Sequence, residues 1–140
     1  MNYFSNLYYD WLYKETENVE LFSFNGYTVV CKVVYVYDGD SIHIVLPLKE
    51  SKKLVKIKTR LYGIDTPEIR NQTQKEKALF AKNRLIELLK ETNYIVKVCC
   101  GNFDKYGRVL VTLYSSKYEI SLNDILINEG HAVRYFGGTK

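Results

Sequence analysis

The stretch Arg60-Leu61-Tyr62-Gly63-Ile64-Asp65-Thr66-Pro67-Glu68 brings a permanent cation, two carboxylates, a hydroxyl and a proline-stiffened turn together. Two shorter segments frame it. Upstream, Asp38-Gly39-Asp40-Ser41 is a second acidic turn, and downstream, Tyr106-Gly107-Arg108 carries a second guanidinium. Cleaving a phosphodiester needs carboxylates that hold a hard cation, a carboxylate left over as base, and guanidiniums to meet the phosphate.

Working outward, the residues leading into the motif alternate. Val55, Ile57, Thr59 and Leu61 interleave with Lys56, Lys58 and Arg60, which predicts a strand. Ile42, Ile44 and Leu46 interleave with Ser41, His43 and Val45 and predict the strand before it. Tyr27 to Tyr37 is dense in Val, Tyr and Thr and reads as a first strand, closed by the Asp38-Gly39 turn. These three make a meander with charged side chains on one face. If the second and third are neighbours, Asp40 and Asp65 converge at one end of the sheet.

Beyond the motif, Thr73-Gln74-Lys75-Glu76 has the form of a capping box. It predicts a long helix to about Lys90, with Ala78, Ala81, Leu85, Leu88 and Leu89 as the buried stripe and Asn93 as the stop. Tyr94 to Cys100 and Arg108 to Tyr114 read as a fourth and fifth strand around a polar loop. Ser121-Leu122-Asn123-Asp124 starts a short helix that Gly130 ends. The predicted class is mixed β/α (α+β, mainly β). Three strands, a helix, two strands and a helix follow the order of an OB-fold barrel with its long helix between strands three and four.

Residues 5–14 form an extra N-terminal helix by pattern, capped by Ser5, with Leu7, Tyr8, Trp11 and Leu12 on one face. We expect Trp11 to dock this helix on the barrel, with binding of a partner as the alternative reading. The expected division is 1–25 as a helical extension and 26–140 as the main domain.

Size and composition fit this frame. A chain of 140 residues with 46% apolar and 26% charged positions buries one core, which excludes disorder over its length. The net charge of +4 permits a polyanionic partner without requiring one. Lys49, Lys52, Lys53, Lys56, Lys58 and Arg60 crowd the approach to the motif, as a solvated strand edge or as an attractor of phosphates. The 13 tyrosines serve equally in cores and in stacking on bases. Cys31 and the adjacent Cys99 and Cys100 form no CxxC pair, which argues against a disulfide framework or zinc site. No apolar run reaches membrane-spanning length and the first residues lack a signal-like pattern. The expectation is a soluble, intracellular monomer with no membrane contact.

Each chemical residue has a plain reading beside the sharp one. Asp38 and Asp40 suit a hairpin turn, and Asp65 before Thr66-Pro67 suits an Asx turn. Held close together, these carboxylates repel, and a divalent cation removes that cost. Oxygen-only donors favour calcium or magnesium over zinc. Glu68 is either a surface charge or a base placed to reach a metal-bound water. Arg60 and Arg108 either bind two phosphate oxygens apiece or pair with Asp104 or Glu76.

In order along the chain, four segments resemble the staphylococcal nuclease-like (thermonuclease) family. They are Asp38-Gly39-Asp40-Ser41, Arg60 to Glu68, Asp104-Lys105-Tyr106-Gly107-Arg108-Val109-Leu110, and Asn128-Glu129-Gly130-His131-Ala132. The resemblance runs from about Tyr27 to Tyr135. It implies a five-stranded OB-fold barrel with Ca2+ held by Asp40, Asp65 and the Thr66 carbonyl, and with Asp38 as a nearby acid. It implies Glu68 as base, Arg60 and Arg108 on the scissile phosphate, Tyr106 and Lys105 at the substrate, and Tyr135 against a base. The implied activity is calcium-dependent hydrolysis of DNA and/or RNA, single strands preferred, at the P–O5′ bond to leave 3′-phosphate ends. Ser41 stands where threonine is commoner in the family. The chain stops at Lys140, short of the best-known member's further helix, and the N-terminal helix is expected to cover the surface this leaves. The alternative function is a non-catalytic OB-fold module that binds nucleic acid or protein.

Overall fold

The computed structural model describes residues 5–138. Its strands are β1 (Thr28–Val36), β2 (Ser41–Pro47), β3 (Leu54–Leu61), β4 (Ile64–Asp65), β5 (Ile95–Phe103), β6 (Val109–Tyr114) and β7 (Val133–Arg134). Its helices are α1 (Asn6–Glu15), α2 (Lys75–Lys90) and α3 (Leu122–Asn128). Five strands close a barrel in the order β1-β2-β3-β6-β5. All neighbours are antiparallel except β3 and β6, whose parallel pairing from Thr59↔Val109 to Leu61↔Val111 completes the ring. Closure leaves none of the five with a free edge. This is the expected OB-type, mainly β architecture with its long helix between the third and fourth barrel strands.

Alternation fills the barrel. Ile42, Ile44 and Leu46 of β2 point inward and are buried, while Ser41, His43 and Val45 between them are half-buried. The predicted stripe of α2 is buried in full, and its Leu85, Leu88 and Leu89 join Leu122, Ile125 and Leu126 of α3 in the same core cluster. Cys31, Cys99 and Cys100 are free thiols, and burial pushes Cys31 up to about 12. No helix of the described residues is long and apolar enough to cross a membrane.

Both helix ends use one device. His131 N–H donates to the Leu126 carbonyl and Gly130 N–H to the Ile127 carbonyl, with Gly130 at φ +80°. Tyr94 N–H and Asn93 N–H do the same toward Leu89 and Lys90, with Asn93 at φ +54°. The capping box expected at the start of α2 does not form. Asn71 Oδ1 accepts both the backbone N–H and the hydroxyl of Thr73, at 3.1 and 2.7 Å, so the threonine turns back instead of capping forward. The helix starts after Gln74, which makes no side-chain cap.

Two further outcomes depart from expectation. The small β4–β7 sheet, paired Ile64↔Arg134 and Asp65↔Val133, has no counterpart in the predicted elements. Trp11 does not dock: α1 buries none of its residues, and the chain stays exposed from residue 5 until Phe24 enters the core. Helix formation there is local, through Ser5 Oγ accepting the Tyr8 N–H at 3.1 Å and the Tyr8 and Trp11 rings 5.8 Å apart, with no residue buried against the barrel.

By pattern, Asn123 is only the third residue of the Ser121 cap. Its side chain is buried and stitches three backbones: Nδ2 donates to the Tyr62 and Val111 carbonyls at 2.9 and 3.1 Å, and Oδ1 accepts from Leu113 N–H at 3.1 Å. Two of the three bonds are buried, where the backbone groups have no water to turn to, so Asn123→Ala should cost about 3 kcal/mol in denaturant unfolding. Deleting residues 1–20 should shift Tm by no more than about 2 °C in calorimetry, because every described residue of that segment, 5–20, is exposed.

Candidate active site

The barrel brings three connections to one end: the β1–β2 turn, the end of β3 with β4, and the β5–β6 loop. The Asp40 carboxylate ties the first two. Its Oδ2 accepts the Thr66 backbone N–H at 3.0 Å, its Oδ1 accepts the Ser41 hydroxyl at 3.1 Å, and Arg60 Nη2 lies 3.6 Å away. The Asp40 carbonyl accepts the Leu61 N–H at 2.8 Å, which fixes the turn to the end of β3. Gly39 makes the close approach possible. A Cβ there would sit 2.8 Å from Thr66 Cγ2 and 2.9 Å from Ala81 Cβ, atoms held by backbone with nowhere to go. Thr66 itself is buried by this contact, and its Oγ1 has no hydrogen-bond partner.

Asp38 is buried beside Asp40, and its Oδ1 accepts the Asp40 N–H at 3.2 Å. Burial, and then the negative charge of Asp40, push the Asp38 carboxyl up to about 7. Arg60 is the local counter-charge: Nη2 donates to Asp65 Oδ1 at 3.1 Å and to the Ile64 carbonyl at 3.2 Å. Burial alone would weaken its proton affinity, but Asp40, Asp65 and Asp38 outweigh that and raise it.

Arg108 comes from the end of the β5–β6 loop, next to β3 because β6 pairs with it. Its Nε donates to Asp104 Oδ2 at 2.8 Å and its Nη1 to Ser41 Oγ at 3.3 Å. Asp104 also accepts the Tyr106 and Arg108 backbone N–H groups at 2.8 and 2.9 Å. Burial works to raise the Asp104 carboxyl, but these bonds and the Arg108 charge win and lower it. Tyr106 stands exposed between two cations, with Lys105 Nζ 5.2 Å and Arg108 Cζ 5.7 Å from its ring centroid.

These groups open on one cleft of about 1100 Å³. Asp38, Asp40, Asp65 and Glu68 line it, as do Arg60, Lys105, Tyr106, Arg108 and Tyr135. Of the residues expected to act in catalysis, in metal binding or on the substrate, only Thr66 stands off the wall, under the Gly39 turn. Lys58 reaches the cleft, whereas Lys49, Lys52 and Lys53 sit at the opposite tip of the β2–β3 hairpin. Sequence reasoning missed three contributors. Ser41 links Asp40 to Arg108, a role hidden in its position beside Asp40. Asp104, four residues before Arg108, reads in the sequence as a pairing partner that competes with phosphate, yet it aims the guanidinium into the cleft while pairing with it. Phe136, placed by the β4–β7 clip and by Tyr135 N–H donating to the Gly63 carbonyl at 3.0 Å, packs on Tyr62 with ring centroids 5.6 Å apart. A two-residue strand leaves no periodicity to read.

Among the described residues, no group of three or more His, Cys, Asp or Glu side chains is arranged to hold a metal ion. What the cleft offers is Asp40 and Asp65 converging on one guanidinium nitrogen, oxygen donors only, beside Asp38, whose proton affinity is raised first by burial and then by the charge of Asp40. That donor chemistry fits a hard divalent cation completed by water.

The Asp38 shift has a sign that can be checked. Unfolded, Asp38 ionises near 3.8; folded, it keeps its proton to about 7. Between those values the folded state binds more protons, so its stability falls as pH rises through the window. Asp38→Asn should abolish that loss. In chelator, the stability of the variant relative to the parent, from urea unfolding at about pH 4 and about pH 7, should increase with pH.

No curated protein matches the chain. A family profile described as staphylococcal nuclease homologue matches residues 58–140, from the second half of β3 to the end, and so takes in Arg60, Asp65, Glu68, Arg108 and Tyr135. With more than half of its residues inside that match, the chain belongs to the staphylococcal nuclease homologue family.

Proposed function

We propose that this protein is a calcium-dependent nuclease that hydrolyses DNA or RNA, with single strands preferred. Family membership points to a nuclease-type or nucleic-acid-binding function. The observation that favours turnover is the meeting of two guanidiniums, one from β3 and one from the β5–β6 loop, with Asp40, Asp65 and Glu68 in one cleft.

Asp40, Asp65 and the Thr66 carbonyl would hold the cation, which would polarise the phosphate and acidify a bound water. Glu68, exposed on the cleft wall, would take the proton of the attacking water. Arg60 and Arg108 would grip the phosphate from two sides and meet the charge that grows on its oxygens. Both are aimed in advance, Arg60 by Asp65 and the Ile64 carbonyl, Arg108 by Asp104 and Ser41, so little reorganisation accompanies the reaction. Tyr106 and Lys105 would contact a neighbouring phosphate. Tyr135, its ring 5.7 Å from Arg60 Cζ, would pack on a base. The family resemblance supports cleavage of the P–O5′ bond, leaving 3′-phosphate ends. We assign the monomer as the working unit, with residues 26–140 as the nuclease domain and 1–25 as an extension.

The purified chain should degrade single-stranded DNA or RNA with Ca2+ and not with EGTA. Arg108→Ala should slow turnover on the order of 100-fold or more, and Glu68→Gln comparably, each without loss of fold. Product end-labelling reads the bond that breaks. Tight binding with no cleavage under any divalent metal would instead establish a binding module.

A further inference from the structure

The cleft wall extends past the acids along the first three strands. Strand register places Tyr35 opposite His43 and His43 opposite Lys58. An aromatic ring, an imidazole and an ammonium thus form one row across β1, β2 and β3, and all three line the same cleft as Arg60 and Arg108. The Tyr35 and His43 rings are 4.9 Å apart at 52°, with Tyr35 49% exposed. Tyr35 faces outward because the register shifts between Val33 and Tyr35, so that Val34 and Tyr35 are both exposed. Such a bulge re-aims a side chain, and here it turns a ring toward the cleft.

The next row toward the acids is Ser41 opposite Arg60, on the same face by strand alternation. Two residues of strand separate the rows by about 7 Å. That is roughly twice the rise per nucleotide of a duplex. A strand that sets neighbouring phosphates on the two rows has its bases pulled out of stacking, and each such base can then be met by a ring of the protein.

We propose that Tyr35, His43 and Lys58 form a further nucleotide subsite beside the reaction centre. It takes one unpaired base of a DNA or RNA strand on the Tyr35–His43 rings and an adjacent phosphate on Lys58. The proposal rests on the nuclease reading above and adds to it a length requirement and a reason for single-strand preference. Stacking on rings is tolerant of sequence, so the subsite selects strand state and length and leaves base identity unread.

The test uses the full chain carrying Glu68→Gln, in Ca2+, with labelled oligothymidylates of about two and about eight nucleotides. The longer strand should bind more tightly. Replacing Tyr35 and His43 together by Ala should shrink that advantage about 10- to 100-fold, while Tyr35→Phe keeps it. Lys58→Ala should lower the salt dependence of the longer strand by about one phosphate contact. An unchanged advantage in a double variant of unchanged Tm, where Tyr35 and His43 merely brace the hairpin, overturns the proposal. A contrast that needs no change at the rings guards against misfolding: an eight-nucleotide strand with abasic sites must lose the advantage, and equal binding overturns the subsite. If neither strand binds and the unsubstituted chain cuts nothing, this proposal and the nuclease reading fall together. If strands are bound and cut without regard to length or missing bases, the subsite alone falls.

Discussion

The Asp40 carboxylate is the constraint on which the cleft depends. It sits buried next to a second buried acid, an arrangement that costs free energy unless partners surround it. The partners come from different parts of the chain: a backbone N–H from Thr66, a hydroxyl from Ser41 and a guanidinium from Arg60. Each bond also fixes its donor. Thr66 draws in the proline turn that carries Glu68, Ser41 reaches on to Arg108, and Arg60 reaches on to Asp65. Stabilising one charge therefore sets the positions of the others. Gly39 sets how tightly this can be drawn, because any side chain there would push Thr66 and α2 away from the acid.

The arginines illustrate why ion pairing and function need not compete. Asp104 takes one edge of Arg108 and leaves Nη1 turned toward Ser41 and the cleft. A planar guanidinium can be held on one edge and still present the other, which a lysine cannot do. The family match begins at residue 58 and leaves out Asp38, Asp40 and Ser41. Geometry brings that turn in: Asp40 lies against Arg60 and Thr66 of the matched region.

Strand order, the buried stripe of α2 and the left-handed stop at Gly130 were legible in the sequence. Alternation and turn chemistry act over a few residues, and closing the barrel then follows from burying the apolar face of the meander. The failures have a common physical source. At Thr73 the same side chain could cap forward or bond backward to Asn71, and only the local backbone decides. At Trp11 the apolar face promised a docking partner, yet amphipathic pattern carries no information about whether a complementary surface exists. At Asn123, a polar residue in a helix gave no hint of three backbone groups awaiting it from elsewhere in the chain. At the cleft, motif residues were legible one by one, whereas Phe136 and the row from Tyr35 to Lys58 emerge only from pairing between strands.

The β4–β7 clip carries an implication for how the cleft can open. All five barrel strands are complete by Tyr114, but the wall that holds Tyr135 and Phe136 is tied down by Val133 and Arg134. Two paired residues, both exposed, are a weak fastening beside a closed barrel. Fraying of that short ladder would dismantle one side of the cleft while the scaffold beneath it stays folded.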